Sequence, residues 1–150
     1  MSHRAYNQMS FADQLLIEHK ALFELDELNQ MINWQKFSDI ISCIHNKKQG
    51  NSAFAPILMF KALLLQSWYN LSDVALEKQL ARDLMFRRFV GLNLSDSIPD
   101  HTTIWRFREA LKNEQLFDQL LLEIQDQLAQ KSLFIRLVSI SIIDASVIEA

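Results

Sequence analysis

Chain breakers and thiols are what this 150-residue chain has least of: two glycines, two prolines and one cysteine. Average usage gives roughly ten glycines and eight prolines in a chain this long. Sandwiches and barrels turn often and draw on both residues, so their scarcity argues against an all-β architecture and favours helices joined by short polar links. One thiol, Cys43, allows neither an internal disulfide nor a cysteine-based zinc cluster. Two glycines cannot line a glycine-rich phosphate loop. Long apolar runs are missing as well. The longest, Ala53 to Phe60, contains Pro56 and stops at Lys61, well short of the about 20 residues of a membrane span. Ser2, His3, Arg4, Asn7 and Gln8 leave no apolar core for a signal peptide. The expectation is a cytoplasmic chain with no membrane partner.

What is present is ordinary for one globular domain: 49% apolar and 22% charged residues, in a length that suits about 100–150 residues per domain. The net charge of −3 does not by itself mark a nucleic-acid binder. Its distribution is more informative. Residues 1–52 carry five basic and six acidic side chains, residues 53–112 eight and six, and residues 113–150 two and six. Five of the seven arginines fall between Arg82 and Arg108. Phosphate affinity follows the local field, so a cationic face on a mildly acidic protein is compatible with DNA binding. Solvated helix surface is the alternative reading of the same arginines.

Periodicity places the elements. Ser10 and Asp13 have N-cap character, and Leu15, Leu16, Leu22, Phe23, Leu25 and Leu28 form an apolar stripe read as one helix to about Ile32. Asn33 reads as a cap for a second helix through Phe37, Ile40, Ile41 and Ile44. The polar stretch His45 to Ser52 reads as a loop. Pro56 to Tyr69 is apolar on most of its circumference, as a central core helix should be, with Pro56 in a tolerated first-turn position. Ser72 caps a helix to about Arg82, and Leu84 to Val90 forms a short one ended by Gly91. Asp100 caps a helix from His101 to about Leu111. Asn113 caps a long amphipathic helix ending near Lys131. After Arg136 the pattern changes: Val138, Ile140, Ile142 and Asp144 share one parity, the signature of a strand. A lone strand has no partners for its backbone groups.

Two segments bear chemistry. In Ile98 to Leu111, helical spacing buries Ile104, Phe107 and Leu111. His101, Trp105, Arg108 and Lys112 fall on another row, with Thr102, Thr103 and Arg106 nearby. Such a face suits docking in a DNA groove, where Thr bonds phosphates and Arg bonds guanine in a bidentate manner. The short helix bearing Arg87 and Arg88 is a candidate helix-turn-helix partner, although the connection Gly91 to Asp100 is longer than that motif's tight turn. Alternatively, Arg106 and Arg108 only pair with Glu109 or Asp100. Asp144 is the second candidate. On spacing alone it ends a strand and caps a turn. Enzymes that act on phosphodiesters place such carboxylates around two metal ions, and one carboxylate does not make that site. His3, His19, His45 and His101 show no ligand spacing. Cys43, Trp34 and Trp68 read as core.

Four segments together, ILMFKALLLQSWYNLSD, LMFRRFVGL, IPDHTTIWRFREAL and IIDASVIEA, resemble the N-terminal part of IS5-type bacterial insertion-sequence transposases, within the IS4-like DDE group. The resemblance runs from about Phe11 to the end. It implies a helical DNA-binding domain over residues 11–133, preceded by a loosely ordered 1–10. Residues 134–150 would then be the first strand of an RNase H-like catalytic domain cut off inside its sheet. The fold class that follows is mainly α, a multi-helix domain with a helix-turn-helix-like segment plus one orphan C-terminal strand. By motif match, Asp144 would be the first catalytic, metal-binding carboxylate of an Asp-Asp-Glu triad that binds Mg²⁺ or Mn²⁺ in full-length relatives. The family's Tyr-x-x-Arg-x-x-x-Glu signature has no counterpart here, since Met9 and Ser72 follow Tyr6 and Tyr69 at the arginine position. The chain alone is therefore expected to lack enzyme activity and to need no cofactor.

Its expected partner is double-stranded DNA of the element's inverted repeats, in a nucleoid setting. The contacts would be Arg87, Arg88, Thr103, Trp105, Arg106, Arg108 and Lys112. The alternative is a helical oligomerisation module, alone or mixed with full-length transposase, or an inhibitory or decayed fragment without DNA binding of its own.

Overall fold

A computed structural model describes residues 19–47 and 54–131. Among these the chain is mainly helical: a 3₁₀ turn, Lys20–Phe23, and seven α-helices. They are α1 (Asp26–Met31), α2 (Trp34–Lys47), α3 (Pro56–Trp68), α4 (Asp73–Arg82), α5 (Leu84–Val90), α6 (His101–Asn113) and α7 (Phe117–Gln130). The expected strand around Asp144 lies outside the described residues, as does the N-terminal segment to residue 18. No helix among the described residues is long and apolar enough to cross a membrane.

Local capping explains most of the boundaries. Asn33 Oδ1 accepts from the Gln35 N–H, Ser72 Oγ from Ala75 N–H, and Asp100 Oδ1 from Thr103 N–H. Each oxygen satisfies a first-turn donor that has no partner within its helix. Pro56 occupies the first turn of α3. Gly91, at φ 96°, ends α5 in the left-handed region where a Cβ is costly.

Three boundaries differ from the periodic reading. The stripe from Leu22 to Ile32 is not one helix. It breaks at Glu24 and Leu25, so that Leu25, Leu28 and Ile32 are buried while Leu22 and Phe23 are only partly covered. Asp83 is an unforeseen cap, accepting from both Met85 N–H and Phe86 N–H and starting α5 one residue after α4 ends. Asn113 caps nothing: α6 runs through it, Gln115 at φ 59° makes the turn, and α7 starts after Leu116.

The core is built around α3, whose Leu58, Met59, Phe60, Ala62, Leu63, Leu64 and Leu65 are all buried. α2, α4, α5 and α6 pack on it. A ring cluster joins them: Phe37 stacks on Phe60 at 4.9 Å, and Trp34 and Trp68 meet Phe89 edge-on at 5.9 and 5.8 Å. α7 is held by buried Leu120 and Ile124 and by Gln127, whose amide accepts from Asn33 N–H at 2.8 Å. Among the described residues no buried side-chain polar atom lacks a partner.

Candidate nucleic-acid interface

α6 has two unlike faces because its apolar positions repeat at helical spacing. Ile104 and Leu111 are fully buried, and Phe107 and Ala110 pack against the core beside them. Thr102, Trp105, Arg106, Lys112 and Asn113 lie on the opposite, exposed side. The helix is anchored by α4, its main packing partner, along with α3, α2 and α7. α5, the expected helix-turn-helix companion, makes its main contacts with α3, α4 and the 3₁₀ turn instead.

Two polar links bind α6 to α4. Arg108 Nη1 donates to Asp73 Oδ1 at 2.8 Å and Nη2 to Oδ2 at 2.6 Å, while Gln66 of α3 accepts a third bond from Arg108 at 3.0 Å. Hydrogen bonding to the guanidinium holds the Asp73 carboxyl below its ordinary range and raises Arg108 in turn. Arg108 is therefore a strut inside the fold. It stands four residues after Ile104 and three before Leu111, on the edge of the buried stripe, and does not join Trp105 and Lys112 on the outer row. Its hydrogen bonds go to Asp73 and Gln66 and not to Glu109 or Asp100, although the Glu109 charge adds to the rise in its pKa. At the start of α6, Glu77 Oε1 accepts from both His101 N–H and His101 Nδ1, each at 2.7 Å. The Glu77 contact raises the His101 pKa, and the same bond lowers that of Glu77.

The remaining expected contacts divide. Arg87 is spent internally, donating to the carbonyls of Asn93, Leu94 and Ala81 and latching the α5–α6 link. Arg88 is half exposed but forms a two-pronged pair with Asp26, with its guanidinium 4.4 Å from the Phe23 ring centroid. Thr103 serves the Asp100 cap with its backbone N–H and its side chain, and these bonds lower the Asp100 carboxyl. Lys112 is half exposed and lies 3.8 Å from Glu109. Arg106 is exposed and makes no hydrogen bond or ion pair within 4 Å among the described residues, although its charge helps to lower the Asp100 carboxyl. Trp105 is 51% exposed. The structure thus brings Trp105, Arg106 and Lys112 together with Thr102 on one helix face, and it places Arg87, Arg88 and Arg108 in other contacts.

Asp144 lies outside the described residues. Among those described, no group of three or more His, Cys, Asp and Glu side chains could hold a metal ion. One feature was not anticipated from the sequence. Lys61 of α3 extends its Nζ to 4.5 Å from the Trp34 ring centroid and donates to Asn29 Oδ1 at 3.1 Å. Burial lowers its pKa to about 8. Its signal in the sequence is that it is the one charged residue of α3.

No solved structure matches the chain. A family model does: the one described as Transposase domain (DUF772) matches residues 11–110, a span that includes the 3₁₀ turn, α1 to α5 and most of α6.

Proposed function

The chain belongs to this transposase-domain family, and on that premise we propose that its helical body holds DNA. In this reading it is the N-terminal, DNA-binding unit of an IS5-like transposase and recognises the terminal inverted repeats of its element. α4 and α6 act as the two-helix unit: α4 braces, and α6 presents Thr102, Trp105, Arg106 and Lys112 to the duplex. The observation that carries the reading is the division of arginine roles on α6. Arg108 is consumed in fixing the helix, while Arg106, two residues earlier, is left outward without an ion pair among the described residues. A helix braced by these bonds, with an outward guanidinium and a hydroxyl on one face, matches what groove docking asks for: donors to phosphate and base edges.

Cutting and joining DNA belongs, in this proposal, to an RNase H-like domain that begins at about residue 134 and includes Asp144. Residues 1–150 alone would bind without strand transfer, whether Mg²⁺ or Mn²⁺ is added. The test is selection of a randomised duplex pool by the 150-residue chain at low ionic strength, beside a duplex carrying an IS5-type terminal repeat. Enrichment of one sequence supports the reading, and no retention of any duplex contradicts it.

A second reading, self-association through α7, is favoured by Leu121 and Leu122, which are 37% and 67% exposed. Light scattering separates the two: a dimer that ignores DNA supports the second, and a DNA-binding monomer the first.

A further inference from the structure

Of the three tryptophans, the fold uses two. Trp34 donates its indole N–H to Asn29 and packs against Phe37, Phe60 and Phe89. Trp68 meets Phe89 edge-on. Trp105 has neither a ring partner nor a hydrogen bond among the described residues. It sits in the middle of the outer face of α6, with Thr102 one turn before it, Arg106 next to it and Lys112 two turns on.

An exposed indole favours an apolar partner, yet two of the exposed side chains on its face, Arg106 and Lys112, are cationic, with Glu109 one turn on. Arg106 has no ion pair within 4 Å among the described residues, although its charge helps to lower the Asp100 carboxyl, and Lys112 lies 3.8 Å from Glu109 and 5.9 Å from the Phe117 ring centroid. The partner must therefore offer an apolar group within a negative surround. The major groove of duplex DNA does so: it admits an α-helix, its walls are phosphates, and thymine displays a C5-methyl group on its floor. We infer that Trp105 is a specificity-determining residue that packs its indole against thymine methyl groups in the major groove while Arg106 holds the adjacent phosphates. The inference rests on the DNA-binding reading above and adds which base the helix senses and through which side chain.

The probe is the duplex enriched from the randomised pool, compared with the same duplex carrying uracil in place of thymine, which removes only the methyl groups. The native chain should bind the uracil duplex about fourfold more weakly per contacted methyl. Trp105→Ala should bind both duplexes equally, and Trp105→Phe should keep part of the difference. Arg106→Ala should weaken both alike and leave their ratio unchanged. Since Trp105 is half exposed, the Ala variant should fold, with the circular dichroism and melting temperature of the native chain. Equal affinity of the native chain for the two duplexes, or an undiminished ratio in Trp105→Ala, overturns the inference and leaves DNA binding standing. Failure to enrich any duplex overturns both.

Discussion

Arg108 and Asp73 clasp each other through two parallel hydrogen bonds of 2.8 and 2.6 Å, joining α6 to α4 across 35 residues of chain. Both side chains are largely shielded, at 19% and 23% exposure. A two-pronged pair of this kind fixes orientation as well as distance, because the planar guanidinium has to lie in register with the carboxylate. It sets the direction in which the outer face of α6 points.

Removing one partner should accordingly be a stability event. Arg108→Ala leaves Asp73 with only Gln66 and should lower stability by about 2–3 kcal/mol. Arg108→Lys should rescue little, since an ammonium cannot reproduce the fork. Joint replacement by Met and Leu at positions 108 and 73 should cost less than either single loss, because no uncompensated charge remains. Denaturant melts of these three variants and of Asp73→Ala check the order.

The His101–Glu77 contact makes stability depend on pH with a definite sign. The His101 pKa is raised above its ordinary 6.5 by Glu77, so its contribution is fully present below 6.5 and is lost as pH rises through the raised folded value. The Glu77 pKa is lowered below 4.5, so its contribution is present above 4.5 and is lost as pH falls through the lowered value. The difference in melting temperature between the native chain and His101→Gln should therefore be largest near pH 5–6 and fade above neutrality. A flat difference from pH 5 to 8 contradicts the pairing.

Lys61 predicts the opposite slope. Burial takes its pKa from 10.5 to about 8, so the unfolded chain holds a proton that the folded chain sheds across that window. Stability should rise with pH from about 8 toward 10 on this account. Lys61→Met should raise the melting temperature at pH 7 and remove the rise. Asn29 Oδ1 keeps a partner in that variant, since it also accepts from Trp34 Nε1 at 2.9 Å.

Much of this architecture is legible in the sequence because it is local. Ser72, Asp100 and Asn33 announce helix starts through side chains that reach only two or three residues, and Pro56 and Gly91 act through their own φ. Gly91→Ala should cost about 1 kcal/mol for the same reason, measurable as a lowered melting temperature. What is not legible depends on distant segments. The break at Glu24 and Leu25 goes with Arg88, which meets both Phe23 and Asp26 from 62 residues away in the chain. Asp73 gives no local sign that it awaits Arg108. The division between Arg106 and Arg108 is half legible: counting from Ile104 and Leu111 puts Arg108 at the buried edge, but the burial of its charge needs a carboxylate supplied by another helix.

In the proposed DNA-binding mode the outer face of α6 meets phosphates through Arg106 while Arg108 serves the fold. The salt dependence of duplex binding separates these two roles. Each neutralised phosphate contributes about 0.9 to the slope of log affinity against log salt. Arg106→Ala should lower that slope by about one and leave the melting temperature unchanged. Arg108→Ala, measured at a temperature where it is folded, should leave the slope intact. An unchanged slope in Arg106→Ala, or a slope lowered only in Arg108→Ala, rules out this division of roles between the two arginines.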